Sequence, residues 1–456
     1  MKVLWLCNMM LPMIAEQFGF KASNKEGWLS GLADVMLSHQ AQNGIELYIA
    51  FPAPDGFMRK NINLAIHDLT IRGCALRCYG FKEDTLNAHI YDEKLEDIME
   101  SILNDAHPDM IHCFGTEYPH TLAMCRKVLD KSRILITIQG LCSVYANVFE
   151  ADLPWDAVVK VTLRDFLKKD SIPEQKAKYI SRGENEIEAL MLAGNIGGRT
   201  DWDKHYAKEI HPGAKYYVMK ETLRAGFYEG RWDKDACEKH SIFLSQGDYP
   251  IKGLHYMLLA MPKILKSYPD ARVYVAGNSV ISYRTLKDKI KISAYGKYLR
   301  SLIDKYSLDD KVVILGKLDS GEMKKQYLKS SLFVCPSAIE NSPNSLGEAM
   351  ILGMPCVTAN VGGIPSIFDD GRDGIMYTGT GCSENSFDRD YYKGTDSLYG
   401  IADNLADAVI KMWSSGNKEA EYCKNAREHA LTDHDRQANY EQTLKVYEQI
   451  SGAVSI

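Results

Sequence analysis

Two glutamates eight residues apart, Glu340 and Glu348, bracket the segment Glu340-Asn341-Ser342-Pro343-Asn344-Ser345-Leu346-Gly347-Glu348. An apolar run, Leu332-Phe333-Val334-Cys335-Pro336, leads into it. Ser342 can cap a helix there and Pro343 suits its first turn. Leu346, Ala349, Met350 and Gly353 recur at helical spacing, which predicts one face turned inward. The N–H groups of Asn344 and Ser345 then lack partners within the helix and favour an anion. Glu348, in the second turn, is either a charge at the favourable end of the helix dipole or an acceptor for two vicinal hydroxyls. Glu340, before the helix, can reach a sugar. This order of residue types suits a diphosphate with a ribose on one side and a sugar on the other.

A second group is Ser245-Gln246-Gly247-Asp248-Tyr249-Pro250-Ile251-Lys252-Gly253, again just after an apolar run. An ammonium such as Lys252 suits a diphosphate; a solvated turn is the alternative. Further along, Gly316-Lys317-Leu318 follows Val312–Leu315. In the first half, Gly27 opens a helical pattern and Gln139-Gly140 follows Ile134–Ile138. Gly27 permits close approach of backbone to a phosphate or acceptor, or simply starts a helix. His112 lies inside an apolar strand and reads as a satisfied core histidine, with a site role as the alternative. In Gly197-Gly198-Arg199-Thr200-Asp201-Trp202-Asp203, Arg199 and Asp203 suit either a buried structural pair or a ligand cleft. Lys160, Arg164, Lys168 and Lys169 interleave with Val161, Leu163, Phe166 and Leu167. That pattern fits a solvated helix face, or a patch that makes peripheral contact with anionic lipid.

These residues sit at the ends of short apolar runs that alternate with helical patterns. Candidate strands are Val3–Cys7, Leu47–Phe51, Met110–Phe114 and Ile134–Ile138 in the first half. In the second they are Ile242–Ser245, Val273–Ala276, Val312–Leu315, Leu332–Cys335 and Pro355–Thr358. Helices are expected at Trp28–Ser38 and Leu254–Ser267, among others. Alternation of this kind predicts an α/β fold of two doubly wound, Rossmann-like parallel sheets facing across a cleft. Ligands in such sheets bind outside the carboxyl ends of the strands. The expected domains are 1–232 and 233–432, with the polar passage 230–240 as linker. A last helix, 433–456, capped by Thr432 or Asp433 and carrying Tyr440, Leu444 and Tyr447, either completes the second domain or packs back on the first. Residues 379–399 read as an exposed loop.

At 456 residues the chain has room for two or three domains of about 100–200 residues. A composition of 45% hydrophobic and 25% charged residues is that of a globular protein. The net charge of -6 gives no reason to expect nucleic acid as a partner. No apolar run reaches the ~18 residues of a membrane span. Asn8 and Pro12 interrupt the first apolar run, which reads as a core strand rather than a signal peptide. Eleven scattered cysteines, several in apolar strands, fit reduced buried thiols and a cytoplasmic setting, with the inner face of the cell membrane as a further possibility. Cys74 and Cys78 lack a second ligand pair at zinc-site spacing, and no His/Asp cluster demands a metal.

The motifs of the second half resemble the donor-binding signature of glycosyltransferase family 4, retaining enzymes of GT-B fold. That signature has two glutamates separated by seven residues, then Gly-x-Pro and Gly-Gly-x-Pro. Here these are Glu340, Glu348, Gly353-Met354-Pro355 and Gly362-Gly363-Ile364-Pro365. The resemblance implies that Glu348 binds the ribose, Glu340 the donor sugar and Lys252 the phosphate. It also implies that Asn344, Ser345, Leu346 and Pro343 line the donor, and that the loop of Lys317 and Leu318 meets the base. Gln246 stands where the family carries an arginine, beside Gly247. Gln139 stands where many members have a histidine; glutamine can position a hydroxyl but cannot shuttle a proton. Glu26-Gly27 replaces a pair of glycines. The cluster 197–203, Tyr216-Tyr217 and Glu221-Thr222-Leu223-Arg224 resemble a bacterial surface-polysaccharide subgroup.

The resemblance therefore implies a retaining, metal-independent glycosyltransferase without a cofactor. It would move a hexose or N-acetylhexosamine from a UDP- or GDP-linked donor to a glycan or lipid-linked acceptor in polysaccharide biosynthesis. A sugar-nucleotide epimerase on the same fold and a non-catalytic sugar-nucleotide-binding subunit are the alternatives.

Overall fold

The computed structural model describes residues 1–20, 27–54, 56–58, 62–279, 281, 285–379 and 398–452. Glu26 and most of the expected loop, 380–397, lie outside them. The described strands form two sheets. The first contains β1 (Lys2–Leu6), β2 (Glu46–Pro52), β3 (Leu64–Ile71), β4 (Cys74–Phe81), β5 (Met110–Phe114), β6 (Ile134–Thr137), β7 (Asn195–Gly198) and β8 (Lys215–Val218). The second contains β9 (Glu238–Leu244), β10 (Arg272–Ala276), β11 (Val312–Gly316), β12 (Ser330–Cys335), β13 (Cys356–Asn360) and β14 (Ile375–Thr378).

The spatial orders are β3-β4-β2-β1-β5-β6-β7-β8 and β11-β10-β9-β12-β13-β14. The second sheet is parallel throughout, and so is the first apart from β3. The expected doubly wound parallel sheets are present, and β3 is added at the edge of the first, antiparallel to β4. Arg72 and Gly73, both at positive φ, make the tight turn between them. Continuous apolar strands such as β5 are buried along their whole length, as parallel sheets covered on both faces require.

Each sheet winds outward in both directions from its first strand. In the first sheet, β2 lies on one side of β1 and β5 on the other. In the second, β10 lies on one side of β9 and β12 on the other. The carboxyl ends of β1 with β5, and of β9 with β12, therefore mark the two topological switch points, where helices part and leave a crevice.

The chain divides into two compact units. One comprises 1–144, 178–224 and 434–456; the other comprises 145–177 and 225–433. Residues 145–177, expected in the first domain, group with the second unit. Asp165 Oδ2 accepts the Ala294 N–H at 2.7 Å, and Tyr256 donates to Asp152 at 2.6 Å. The polar passage 230–240 is not all linker: the Trp232 N–H donates to Leu352 O at 2.7 Å and its indole to Ser330 O at 2.8 Å.

The last described helix is Arg436–Ser451, capped by Asp435, whose carboxylate accepts the Ala438 N–H at 2.7 Å. Thr432 and Asp433 instead end the preceding helix, Asn417–Asp433. Tyr440 and Tyr447 are buried in the core of the first unit. The Trp5 indole donates to Tyr447 Oη at 2.9 Å. The Tyr447 hydroxyl proton is then available to His112 Nδ1 at 2.7 Å, and His112 Nε2–H to Thr137 Oγ1 at 3.1 Å. Both ring nitrogens are thus occupied. His112 is a core residue that burial keeps neutral, its pKa lowered to about 3.

Candidate functional site

In the second unit, the loops after β9 and β12 leave the sheet at its switch point, and they carry the two groups of candidate residues. Gln246, half-buried, and Gly247, buried, follow β9. The chain then makes a short turn, Pro250–Lys252, closed by Gly253 in the left-handed region at φ 72°. A Cβ at Gly253 would overlap the Pro336 carbonyl oxygen. The Ala338 N–H donates to Ile251 O at 2.8 Å. Glycine and this bond together lay the first loop against the second.

The result is a contact that neither motif reveals alone. Lys252 Nζ donates to Glu340 Oε1 at 2.6 Å, and Ser337 Oγ donates to the same oxygen at 2.8 Å. Lys252 keeps 19% of its side chain exposed and Glu340 9%. Burial works against the Lys252 charge, but the Glu340 carboxylate together with Tyr249 and Tyr145 outweighs it, so the ammonium pKa stands well above its usual value. Lys252 is therefore charged at neutral pH. An ammonium has three protons, so two remain for other acceptors.

The Gly-Gly-x-Pro motif fixes the same glutamate from behind. The Gly363 N–H donates to Glu340 O at 2.9 Å. Gly362 has φ 54°, and a Cβ there would collide with that carbonyl.

The helix after Glu340 runs from Asn344 to Leu352. Pro343 occupies its N-cap position and no side chain caps it, which corrects the expectation that Ser342 would. The first N–H groups of this helix, at Asn344 and Ser345, thus stay available to an anion. Asn344 Oδ1 is buried without a hydrogen-bond partner among the described residues. Every residue from Leu346 to Leu352 is buried, so the helix is enclosed all round rather than on one face. Glu348, only 4% exposed, is one of them. Lys317 is exposed and Leu318 half-buried, just past β11.

In the first unit, Gln139 is half-buried after β6, and Gly27 begins helix Gly27–Ser38. The space that a Gly27 side chain would fill holds the side chain of Arg224. Gln139 is held by Arg199, which donates to its Oε1 at 3.4 Å and its O at 3.1 Å. Arg199 forms an ion pair with Glu221. Asp203 accepts the Arg199 backbone N–H at 2.8 Å and forms a capping box with Thr200. The adjacent cavity, about 20 Å³, has room for one water and none for a sugar.

Three polar groups went unnoticed in the sequence. At the first switch point, Asn8 Nδ2 donates to Glu117 Oε2 at 3.1 Å. Burial raises the Glu117 pKa. Glu186 is fully buried and accepts the Cys142 and Ser143 N–H groups at 2.9 and 3.0 Å, which fixes the loop after Gln139. Asp369, Asp373 and His429 bring ligand-type atoms within 4.8 Å of one another, where the sequence suggested no such group. There His429 Nδ1 lies 2.6 Å from Asp373 Oδ2, an ion pair between segments 56 positions apart. Asn8, directly after the first apolar run, carried a visible signal; Glu186 and His429 lie inside helices and carried none.

Comparison with known proteins gives the fold a class. Over 100% of both chains, the structure resembles sucrose-phosphate synthase from Thermosynechococcus elongatus, with a TM-score of 0.66 at 15% identity. It also resembles Anabaena HepE in complex with UDP-glucose, with a TM-score of 0.62 at 15% identity over 98% of this chain and 100% of that one. The fold is GT-B: two α/β units built on parallel sheets. Residues 229–387 match the family model for glycosyl transferases group 1.

Among curated relatives, an uncharacterized glycosyltransferase of Methanocaldococcus jannaschii is 32% identical over 177 residues, 39% of this chain and 37% of that protein. Spore coat protein SA of Bacillus subtilis is 24% identical over 200 residues, 44% of this chain and 46% of that protein. The matches thus span less than half the length of these relatives.

Proposed function

We propose that this chain is a retaining, metal-independent glycosyltransferase that uses a UDP- or GDP-linked hexose or N-acetylhexosamine as donor. The observation that carries the reading is the Lys252–Glu340 pair at the switch point of the second sheet, beside an uncapped helix start. The match of residues 229–387 to group 1 transferases supports it.

In this reading the diphosphate lies against the N–H groups of Asn344 and Ser345 and takes the remaining protons of Lys252. Glu348 accepts the ribose hydroxyls and Glu340 a hydroxyl of the donor sugar. Pro343 and Leu346 shape the phosphate end, and the loop of Lys317 and Leu318 lies toward the base. As the bond from sugar C1 to the phosphate oxygen breaks, its electron pair passes to the diphosphate. Lys252 and the helix start stabilise that charge, held in place before the reaction begins. The acceptor hydroxyl forms the new bond to C1, and its proton passes to the departing diphosphate oxygen. Gln139 and Gly27 serve the acceptor side, and the acceptor is a glycan or a lipid-linked sugar.

The test is incubation with a panel of UDP- and GDP-sugars and sugar acceptors, following release of nucleoside diphosphate and the anomeric configuration of the product. Acceptor-dependent release with retained configuration supports the reading. Isomerised donor without acceptor would replace it with an epimerase.

A further inference from the structure

Residues 155–169 of the second unit turn most of their large apolar side chains outward. Helix Leu163–Lys168 buries Asp165, and Leu163, Phe166 and Leu167 are 58%, 72% and 71% exposed. The three apolar residues are spaced i, i+3, i+4 and so share one face of the helix. Trp155, Val159 and Val161 add 77%, 43% and 56% exposure within the same stretch.

The orientation of this helix is fixed from within. Asp165 forms a capping box with Thr162, pairs with Arg164 at 2.9 Å and accepts the Ala294 N–H at 2.7 Å. Rolling the helix to hide Phe166 would expose Asp165 and break its bond with the Ala294 N–H. Leaving a buried donor such as the Ala294 N–H unpaired is itself unfavourable. The apolar face is therefore held outward.

Its charge identifies the partner. Lys160, Lys168 and Lys169 are exposed in the same stretch, and the carboxylates there are mostly withdrawn. Asp165 is buried, and Asp170 pairs with Arg164 at 2.7 Å, which leaves Asp156 as the exposed acid. This local excess of positive charge stands on a chain of net charge -6. Large apolar side chains next to lysines are what the boundary between headgroups and acyl chains of an anionic bilayer binds. No described helix is long and apolar enough to cross a membrane, so the contact is peripheral.

We infer that residues 155–169 dock this protein on an anionic lipid bilayer, with Phe166 and Leu167 inserted and Lys160 and Lys168 over the headgroups. The inference does not depend on the chemistry of the Lys252 site.

The experiment is flotation of the full chain with vesicles of phosphatidylcholine alone or with one-third phosphatidylglycerol, at low and high salt. Binding to the anionic vesicles, weakened by salt, is expected. Phe166→Ser with Leu167→Ser should abolish it, and Lys160→Ala or Lys168→Ala should weaken it roughly fivefold each. All four positions are exposed, and unchanged thermal unfolding would certify the variants as folded. No flotation of the wild type would overturn the inference. So would equal flotation of the folded double serine variant, or a concentration-dependent dimer that the same substitutions dissolve.

Discussion

Lys252 and Glu340 are 88 positions apart in the chain and 2.6 Å apart between Nζ and Oε1. The doubly wound order of the second sheet makes them neighbours, since β9 and β12 lie side by side at its centre. The glycines at 253 and 362 permit the two close backbone approaches that bring the side chains into register.

Lys252→Ala removes the charge that would meet the diphosphate and leaves Glu340 without its cation. Turnover should fall roughly 10²–10³-fold, the scale for losing one preorganised stabilising group. Nucleoside diphosphate release under saturating donor measures it. Turnover within a few-fold of wild type would remove Lys252 from the chemistry.

Glu340→Gln keeps the shape of the side chain and loses its charge. Hydrogen bonds to charged groups contribute about 1.5–3 kcal/mol, so kcat should drop roughly 10–100-fold. The Lys252 ammonium, no longer raised by its partner, should titrate at lower pH. A pH profile of kcat in which the alkaline limb shifts downward checks this point.

Gly362→Ala introduces a Cβ against the Glu340 carbonyl and imposes a left-handed backbone on alanine. A strained position of this kind costs about 1–3 kcal/mol. Thermal unfolding should shift down, and turnover should fall as Glu340 moves. An unchanged melting temperature would show that the loop relaxes freely.

The acid limb of stability should depend on His112. Burial lowers its pKa to about 3 in the folded state, against about 6.5 unfolded. Between those values the unfolded chain binds a proton that the folded chain refuses, so stability is present above pH 6.5 and is lost as pH falls toward 3. His112→Gln removes this linkage. Its stability should fall less steeply with acid than the wild type's, by up to about 1.4 kcal/mol per pH unit. Denaturant titrations at several pH values measure the difference.

Much of this architecture was legible as continuous apolar runs. Met110–Phe114 and Leu254–Ser267 are placed to the residue, because buried parallel strands and their covering helices leave strong patterns. The hairpin β3–β4 escaped notice: His67, Asp68 and Thr70 dilute the apolar signal of β3, an edge strand. Strand β7 was missed because it is four residues long and ends in two glycines, poor strand formers. At the site, residue types and spacing marked Glu340, Glu348 and Lys252. The Lys252–Glu340 contact, the Arg199–Glu221 pair and the His429–Asp373 pair are tertiary, and no local spacing encodes them.

That the start of helix Asn344–Leu352, with Lys252 and Glu348, holds a sugar nucleotide can be measured by calorimetric titration of UDP- and GDP-sugars into the wild type and Glu348→Ala. Saturable binding of at least one donor to the wild type is expected. Binding to the variant should be roughly 10–100-fold weaker, the scale of a lost charged hydrogen bond. A wild type that binds no nucleotide sugar, or a variant that binds as tightly as the wild type, would contradict it.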